Sequence, residues 1–499
     1  MEIDFTNLPQ PILANHPDLV ELYYKAWELA AKRIRTSKNG RRHMDAGFDT
    51  EGNRQWVWDT CFMSLFCRYA ADQFPGIQSL DNFYDLQRDD GYIGMAYDLD
   101  TGSEPWPNRI NPPLFAWAEW EYYLATGDNS RFEHAIKHIE KLMDWIDNNR
   151  RTAPHRKITS KDTNEDDLGH SSSNYQLYYF ADCGSSGMDD SPRTPRLPDA
   201  GKFFDWIDLS CQMVLSFKML SKMHGVLGNE QRAAYWQNKA EEVGKIINDE
   251  LWCQRTQFYH DRMLPMNFVA SKTAAGFWPL LAGICNEQRK DALVKHLLDE
   301  REFNRHTPVP SLSADDPNYS PEGVYWRGGV WAPTNYMITR GLTKANKADV
   351  AHAIAMKYLG VLTRTYNNYQ PNTLWENYCP EDDKPGLTAY NGEVVRGDFV
   401  GWTGLGPIAM LIENILGIEI NVPAKKITWE IRLTEEHGIS GLRFGKWGKV
   451  NLICKERDSV DTPAEVEVSC DEDITVYIKR GDASKAIEVK AGKKVCETV

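Results

Sequence analysis

The chain has 499 residues, with 57 Lys plus Arg against 71 Asp plus Glu, a formal charge of −14, and 42% hydrophobic and 26% charged residues. That composition belongs to a globular chain and excludes a collagen-like or largely disordered one. The acidic balance and the absence of any Lys/Arg-rich block argue against nucleic acid or an anionic membrane as a partner.

Helical punctuation runs from residue 1 to about 420. Segment 16–35 places Leu19, Leu22, Tyr23, Trp27 and Ala30 on one face, with Lys and Arg near its end, as the helix dipole favours. Pro112-Pro113 precedes a helix expected over 114–125, and 131–149 follows directly. Helices are then expected over 206–228, 231–252, 273–284, 287–299, 330–342, 348–369 and 402–417. An apolar helix repeatedly ends in a short turn (LATGDNSR, GVLGNEQR, GLTKANKAD) and a more charged, amphipathic helix follows. Short turns make such pairs antiparallel neighbours, the apolar member inside and the one-faced member outside. The pattern predicts an all-α closed toroid of helix pairs, and disfavours a TIM barrel because no strands alternate with the helices.

The last seventy or so residues change period. ITWEIRL (427–433), AEVEVSC (464–470), ITVYIKR (474–480) and AIEVKAG (486–492) alternate apolar and polar, which predicts antiparallel strands. NVPAKK marks a boundary, dividing the chain into a helical domain, 1–420, and a small β domain, 421–499. At about 150 residues per domain the length allows three units, but large barrels run as one.

No run of about 18 apolar residues is present to span a membrane. The opening MEIDFTNLPQP shows neither a basic nor an apolar leader region, so the expected location is cytoplasmic, with a periplasmic one as the alternative. Ten cysteines at irregular spacing, without a CxxC pair, read as free thiols and not as a zinc site. Aromatic residues are abundant, with 17 Trp, 22 Tyr and 18 Phe. Their rings fill cores, but they also stack on neutral ligands with apolar faces, and sugars are such ligands.

Long polar stretches that retain Trp or Tyr span 88–113, 150–203, 303–330 and 370–401. Loops of that length are usually functional, and a toroid would gather them at one mouth. Four constellations stand out. GNRQWVWDTCF (52–62) sets Asp59 beside Trp56 and Trp58. It can accept sugar hydroxyls over an indole face, or cap a helix. CGSSGMDDSPRTPR (183–196) carries the adjacent pair Asp189 and Asp190. Neighbouring negative charge raises a carboxyl pKa, as a general acid needs. PEGVYWRGGVWAPTNYM (321–337) sets Trp326 and Arg327 before two glycines, which let backbone approach a ligand. NTLWENYCPED (372–382) frames Glu376 with Trp375 and Tyr378, and RGDFVGWTGLGP brings Trp402. His134 and His138 lack an HExxH frame, and no GxSxG elbow, Walker loop or GxGxxG is present.

In this order the four motifs resemble glycoside hydrolase family 63, and more distantly the trehalases of the same clan, over residues 50 to 417. The carriers are SGMDDSPR, YWRGGVW, LWENY with GWT, and the shorter WDT. The resemblance implies an (α/α)6 barrel, with Asp189 as general acid and Glu376 as general base. It also implies substrate-pocket positions at Asp59, Arg327 and Trp402, while Asp190 matches a commonly acidic or amide position beside the general acid. This chain has Asn111-Pro112-Pro113 where the family often has Gln-Pro-Pro, and the N-terminal β domain of many relatives is not expected within it.

The resulting expectation is an inverting, exo-acting α-glycosidase on short α-linked oligosaccharides or glycosides. Trp56, Trp58, Trp326, Trp375 and Trp402 would wall the pocket, and Asp59, Asp190 and Arg327 would hold the sugar. No cofactor or metal is called for, and the partner is the small saccharide alone; the oligomeric state is open. Two alternatives remain at this point. One is a toroidal polysaccharide lyase, which would gather Tyr, His and Arg/Lys around a uronic acid. The other is a toroid that binds carbohydrate without turnover.

Overall fold

Two kinds of helix alternate along the chain, and burial separates them. The computed structural model of the protein describes residues 3–48, 53–152, 176–195, 199–263, 267–446 and 448–499. In the first kind every side is covered: all eleven residues of Val57–Cys67 are buried, as are most of Ile207–Val226 and Ala332–Lys344. The second kind buries one stripe. Phe132–Asn149 hides Phe132, Ala135, Ile136, Ile139, Leu142, Met143 and Ile146, at the three- and four-residue spacing of one helical face.

The turns between the two kinds are short. Phe115–Thr126 ends at Gly127, whose φ of 72° suits a left-handed cap, and the chain re-enters helix at Phe132. Ile207–Val226 returns as Glu230–Glu250, and Ala332–Lys344 as Ala348–Asn368.

The covered helices pack on one another in chain order. Val57–Cys67 meets Phe115–Thr126, which meets Ile207–Val226, then Trp278–Ala282, then Ala332–Lys344. The 3-10 turn Thr403–Leu405 and the π-wound helix Gly406–Ile415 come next and touch Val57–Cys67 again. Pro17–Lys32 lies outside, against Gly406–Ile415 and Ala348–Asn368. The expected helix over 273–284 is shorter, confined to Trp278–Ala282 behind a 3-10 turn, Ala274–Phe277. Gly276 presses on Phe258, where a Cβ would sit 2.3 Å from the ring, and Pro279 suits only a helix start.

The C-terminal strands form two sheets. One joins Ile418–Asn421, Lys426–Glu430, Ile474–Arg480 and Ala483–Val489 in that order. The other runs Gln10–Leu13, His437–Phe444, Gly448–Cys454, Glu465–Cys470 and Lys493–Thr498. Pairing is antiparallel with one exception to the expectation: Lys426–Glu430 and Ile474–Arg480 are parallel. The chain traverses three strands of the other sheet between them, and such a crossover allows parallel return.

The division at 420 differs in two respects. A strand already begins at Ile418, and Gln10–Leu13, far upstream, is an edge of the five-stranded sheet. The edge position tolerates Pro11. His437–Phe444 packs on Phe115–Thr126 and on the turn Arg68–Ala70, so the sheets cover the end of the ring where those helices stop. No helix among the described residues is long and apolar enough to cross a membrane.

Candidate active site

The loops and first turns at the opposite end enclose a cavity of about 610 Å3, within the roughly 300–1,000 Å3 of small-molecule sites. A short hairpin, Arg54–Trp56 against Ala96–Asp98, delivers Trp56 to its wall. Trp58 and Asp59 follow in the first turn of Val57–Cys67. Asp59 does not cap that helix, because Trp56 holds the cap position. Its carboxylate is buried, and Oδ1 has no hydrogen-bond partner among the described residues. Burial raises its pKa well above the usual carboxylate value, and Asp189 and Glu376 add to the rise.

Asp189 reaches the cavity from a loop tethered on both sides. Asp182 caps the short helix Cys183–Ser186 by accepting from the Ser185 N–H, and its carboxylate pairs with Arg109 at 2.7 Å. Gly187 then takes φ 80°, and a Cβ there would lie 3.1 Å from the Trp58 ring; glycine is required on both counts. Beyond the acidic pair, buried Arg193 anchors the loop on Asp261 at 2.6 Å and on Asp208. Asp189 itself is open to the solvent of the cavity, with protein enclosing it on its other sides. That enclosure, with the charges of Glu376, Asp190 and Asp182, pushes its pKa up to about 7. Nearly half of the long polar loop expected over 150–203, residues 153–175 and 196–198, lies outside the described residues.

Asp190 is turned away from Asp189's task. It accepts from the Trp326 backbone N–H at 2.7 Å and from Arg327 Nε at 3.0 Å. It therefore ties the acidic loop to the Tyr-Trp-Arg turn while touching the cavity wall. Arg327 is spent on that pair and lines a neighbouring cavity, not the main one. Trp326 does line the main cavity, stacked flat on Trp331 at 4.1 Å. The two glycines do not approach a ligand, as the motif had suggested. Gly328, at φ 134°, presses on Ser320 and Tyr319, and Gly329 on the Tyr325 carbonyl; the space they save is occupied by protein.

Glu376 is 2% exposed and is not part of the cavity wall, but its two partners are. The Tyr325 hydroxyl donates to Oε1 at 3.2 Å, and Arg396 Nη1 lies 3.8 Å from Oε2. Burial raises the Glu376 pKa, while Arg396 and the Tyr325 hydrogen bond oppose the rise. The Trp402 indole N–H donates to the Glu376 carbonyl at 2.9 Å, and its ring faces the cavity. Trp375, by contrast, packs against Tyr369 at 5.5 Å and does not reach the cavity.

Several wall residues lie outside the four motifs. Trp106 stacks 4.8 Å from Trp56. Asn111 donates to the Ser185 carbonyl at 3.0 Å, joining the Asn-Pro-Pro turn to the acidic loop. Phe48, Met95, Arg109, Asp182 and Tyr390 also lie outside them, whereas Tyr325 and Arg396 sit within the YWRGGVW and RGDFVGWT segments without having been singled out. Asn111, Tyr325 and Arg396 left a trace in the sequence, as members of the proline turn, the aromatic run and the RGDFVGWT segment. Arg109 is isolated in its stretch; it and Arg396 become site residues through Asp182 and Glu376.

A helical toroid with a tryptophan-walled pocket of carboxyl groups at one mouth defines the class: the protein is a glycoside hydrolase. The chain belongs to the mannosylglycerate hydrolase MGH1-like glycoside hydrolase domain family, whose model matches residues 52–393. It is 25% identical to an uncharacterized protein of Borreliella burgdorferi over 88% of each chain. It is also 25% identical to a probable mannosyl-oligosaccharide glucosidase of Schizosaccharomyces pombe, over 45% of this chain and 28% of that one. Among solved structures, a glycoside hydrolase family 63 mannosylglycerate hydrolase from Thermus thermophilus, in complex with glucose, superposes with a TM-score of 0.60. The identity is 19%, covering 78% of this chain and 100% of that one.

Proposed function

We propose that the protein is an inverting, exo-acting α-glycosidase of short oligosaccharides or glycosides, built on a six-hairpin (α/α)6 barrel. The observation that carries this reading is the contrast between two carboxyl groups that influence each other at one mouth. Asp189 faces the cavity with its pKa pushed up to about 7, so at neutral pH much of it holds a proton to donate to the glycosidic oxygen. Glu376 is met by a cation and a hydroxyl donor, both of which favour its ionised form. It would deprotonate the water attacking the opposite face of the sugar.

In an inverting enzyme the two groups stand about 6.5–9.5 Å apart, leaving room for that water. Glu376 must be uncovered for it, and the loose Arg396 contact is the one that would yield. Asp59, with a buried oxygen awaiting a donor, would accept sugar hydroxyls. Trp56, Trp58, Trp326 and Trp402 would supply apolar faces. Asp190 would act indirectly, by fixing Trp326. A pocket closed at its floor by an inner helix start favours a chain end, hence exo action. The named relatives point to α-glucosides and α-mannosides as glycones. The test is a panel of α-linked disaccharides, mannosylglycerate included, with chromatography of the products. Each disaccharide should yield its two halves, and a longer oligosaccharide its non-reducing monosaccharide plus the chain shortened by one; internal cleavage would overturn exo action.

A further inference from the structure

Among the described tryptophans Trp106 is the exposed one, with 36% of its surface open. Folding normally covers most of so large a ring, and this one stands in the wall of the main cavity. It lies over Arg54 at 5.3 Å and Trp56 at 4.8 Å. Those residues are two apart on one strand, so both project to the same side of it, and Trp106 rests on the pair. Packing thus fixes the ring without burying it.

Its place follows from its own segment. Residues 106–111 run beside the acidic loop: Asn111 donates to the Ser185 carbonyl at 3.0 Å, and Arg109 pairs with Asp182 at 2.7 Å. Exposure rises outward along them, from 5% at Asn111 to 36% at Trp106. Asp189, further along the acidic loop, has to come within hydrogen-bond reach of the oxygen that leaves. The leaving group therefore exits along that loop, and Trp106 stands at the outer end of the segment beside it.

The charges of the wall bear on what that group is. Arg109 and Arg396 are the cations among the described wall residues. Arg109 is paired with Asp182, and Arg396 stands opposite Glu376 at 3.8 Å. A carboxylate on the leaving group would compete with these acids for their arginines, with Asp59 and Asp189 in the same wall. A neutral ring would not.

We propose that Trp106 is the specificity-determining residue for the leaving group, a neutral pyranose whose apolar face stacks on the indole. The substrate is then an α-linked disaccharide or longer saccharide, not a glycoside of a small acid. This inference rests on the reading of Asp189 as general acid.

The experiment compares the parent with Trp106→Ala and Trp106→Phe on two substrates of one glycone. One is an α-linked disaccharide that the parent cleaves; the other is the α-glycosyl fluoride, whose leaving group has no ring to stack. Trp106→Ala should lower kcat/KM for the disaccharide about tenfold more than for the fluoride, as expected when roughly 50 Å2 of apolar surface goes uncovered. Trp106→Phe should recover most of that difference. Equal losses on both substrates, or none on either, overturn the proposal. So does a parent that cleaves mannosylglycerate with a higher kcat/KM than every disaccharide offered. Should the parent cleave no α-glycoside at all, the proposed reaction fails separately, and titration calorimetry still decides the stack. Trp106→Ala must then weaken binding of a disaccharide more than that of its non-reducing monosaccharide; equal weakening, or no disaccharide binding by the parent, contradicts it.

Discussion

At the end of the ring where the covered helices begin, Asp59, Asp189 and Glu376 face one another with Arg396 as a distant counter-ion. At the end where they stop, Arg68 and Arg340 stand between Glu121 and Glu413. Both sets of carboxyl groups belong to the same ring, but their partners differ, and Asp189 opens on the cavity. Burial pushes Glu121 up, but Arg340 and Arg68 outweigh it and hold its pKa down at about 2. With no guanidinium so placed, Asp189 goes the other way, to about 7. Carboxylates that brace the fold share two close arginines; Asp189 has none, and Glu376 only the looser Arg396 at 3.8 Å.

The largest effects should break this contrast at the cavity end. Asp189→Asn and Glu376→Gln should each lower kcat by about 10²–10⁴-fold, the range of general acid–base catalysis, with cooperative unfolding retained. Normal turnover by either variant would remove it from the mechanism. At the braced end the readout is stability. Arg68→Met leaves Glu121 and Glu413 with one arginine in place of two, and urea unfolding should register a loss of about 3–5 kcal/mol, as for other broken buried pairs. Gly187→Ala forces a Cβ at φ 80° against Trp58. Since small misplacements near reacting atoms cost up to about 10²-fold, kcat should fall by about that much or less.

The smallest effects lie in pH dependence. Activity should fall on the alkaline side as Asp189 loses its proton near pH 7, and on the acid side as Glu376 gains one. Stability follows the same group. Asp189 is raised from 3.8 to about 7 on folding, so in that window the folded state holds more protons than the unfolded one. Stability then declines as pH rises through it. Asp189→Asn removes the decline, so the variant's Tm should exceed the parent's at pH 8 and approach it near pH 4. An equal difference at both values would contradict the shift.

Sequence patterns carried the helices well, because period 3.6 is set locally by which face is covered. Alternation found Glu465–Cys470 and Ile474–Arg480 for the same reason. It missed His437–Phe444, where Gly438 and Gly441 interrupt the pattern and the register shifts between Ile439 and Leu442. It also missed Gln10–Leu13, four residues whose partner lies more than 400 positions away. In the site, Trp56, Trp58, Asp59, Asp189 and Trp402 were legible because their chemistry sits within single short motifs. Arg327 and Trp375 read the same way yet face elsewhere, since a charge beside an aromatic ring marks an internal ion pair as readily as a ligand pocket. Arg396 stood in the quoted RGDFVGWT segment with no role visible: that role follows from the Glu376 N–H bonding its carbonyl at 2.9 Å, a pairing across twenty residues of loop.

The central claim is that Asp189 and Glu376 act from opposite sides of the anomeric carbon. It is tested most directly by 1H NMR of the first-formed sugar during hydrolysis of an α-glucoside or α-mannoside. The β-anomer is predicted to appear first and then mutarotate; initial release of the α-anomer would contradict the claim.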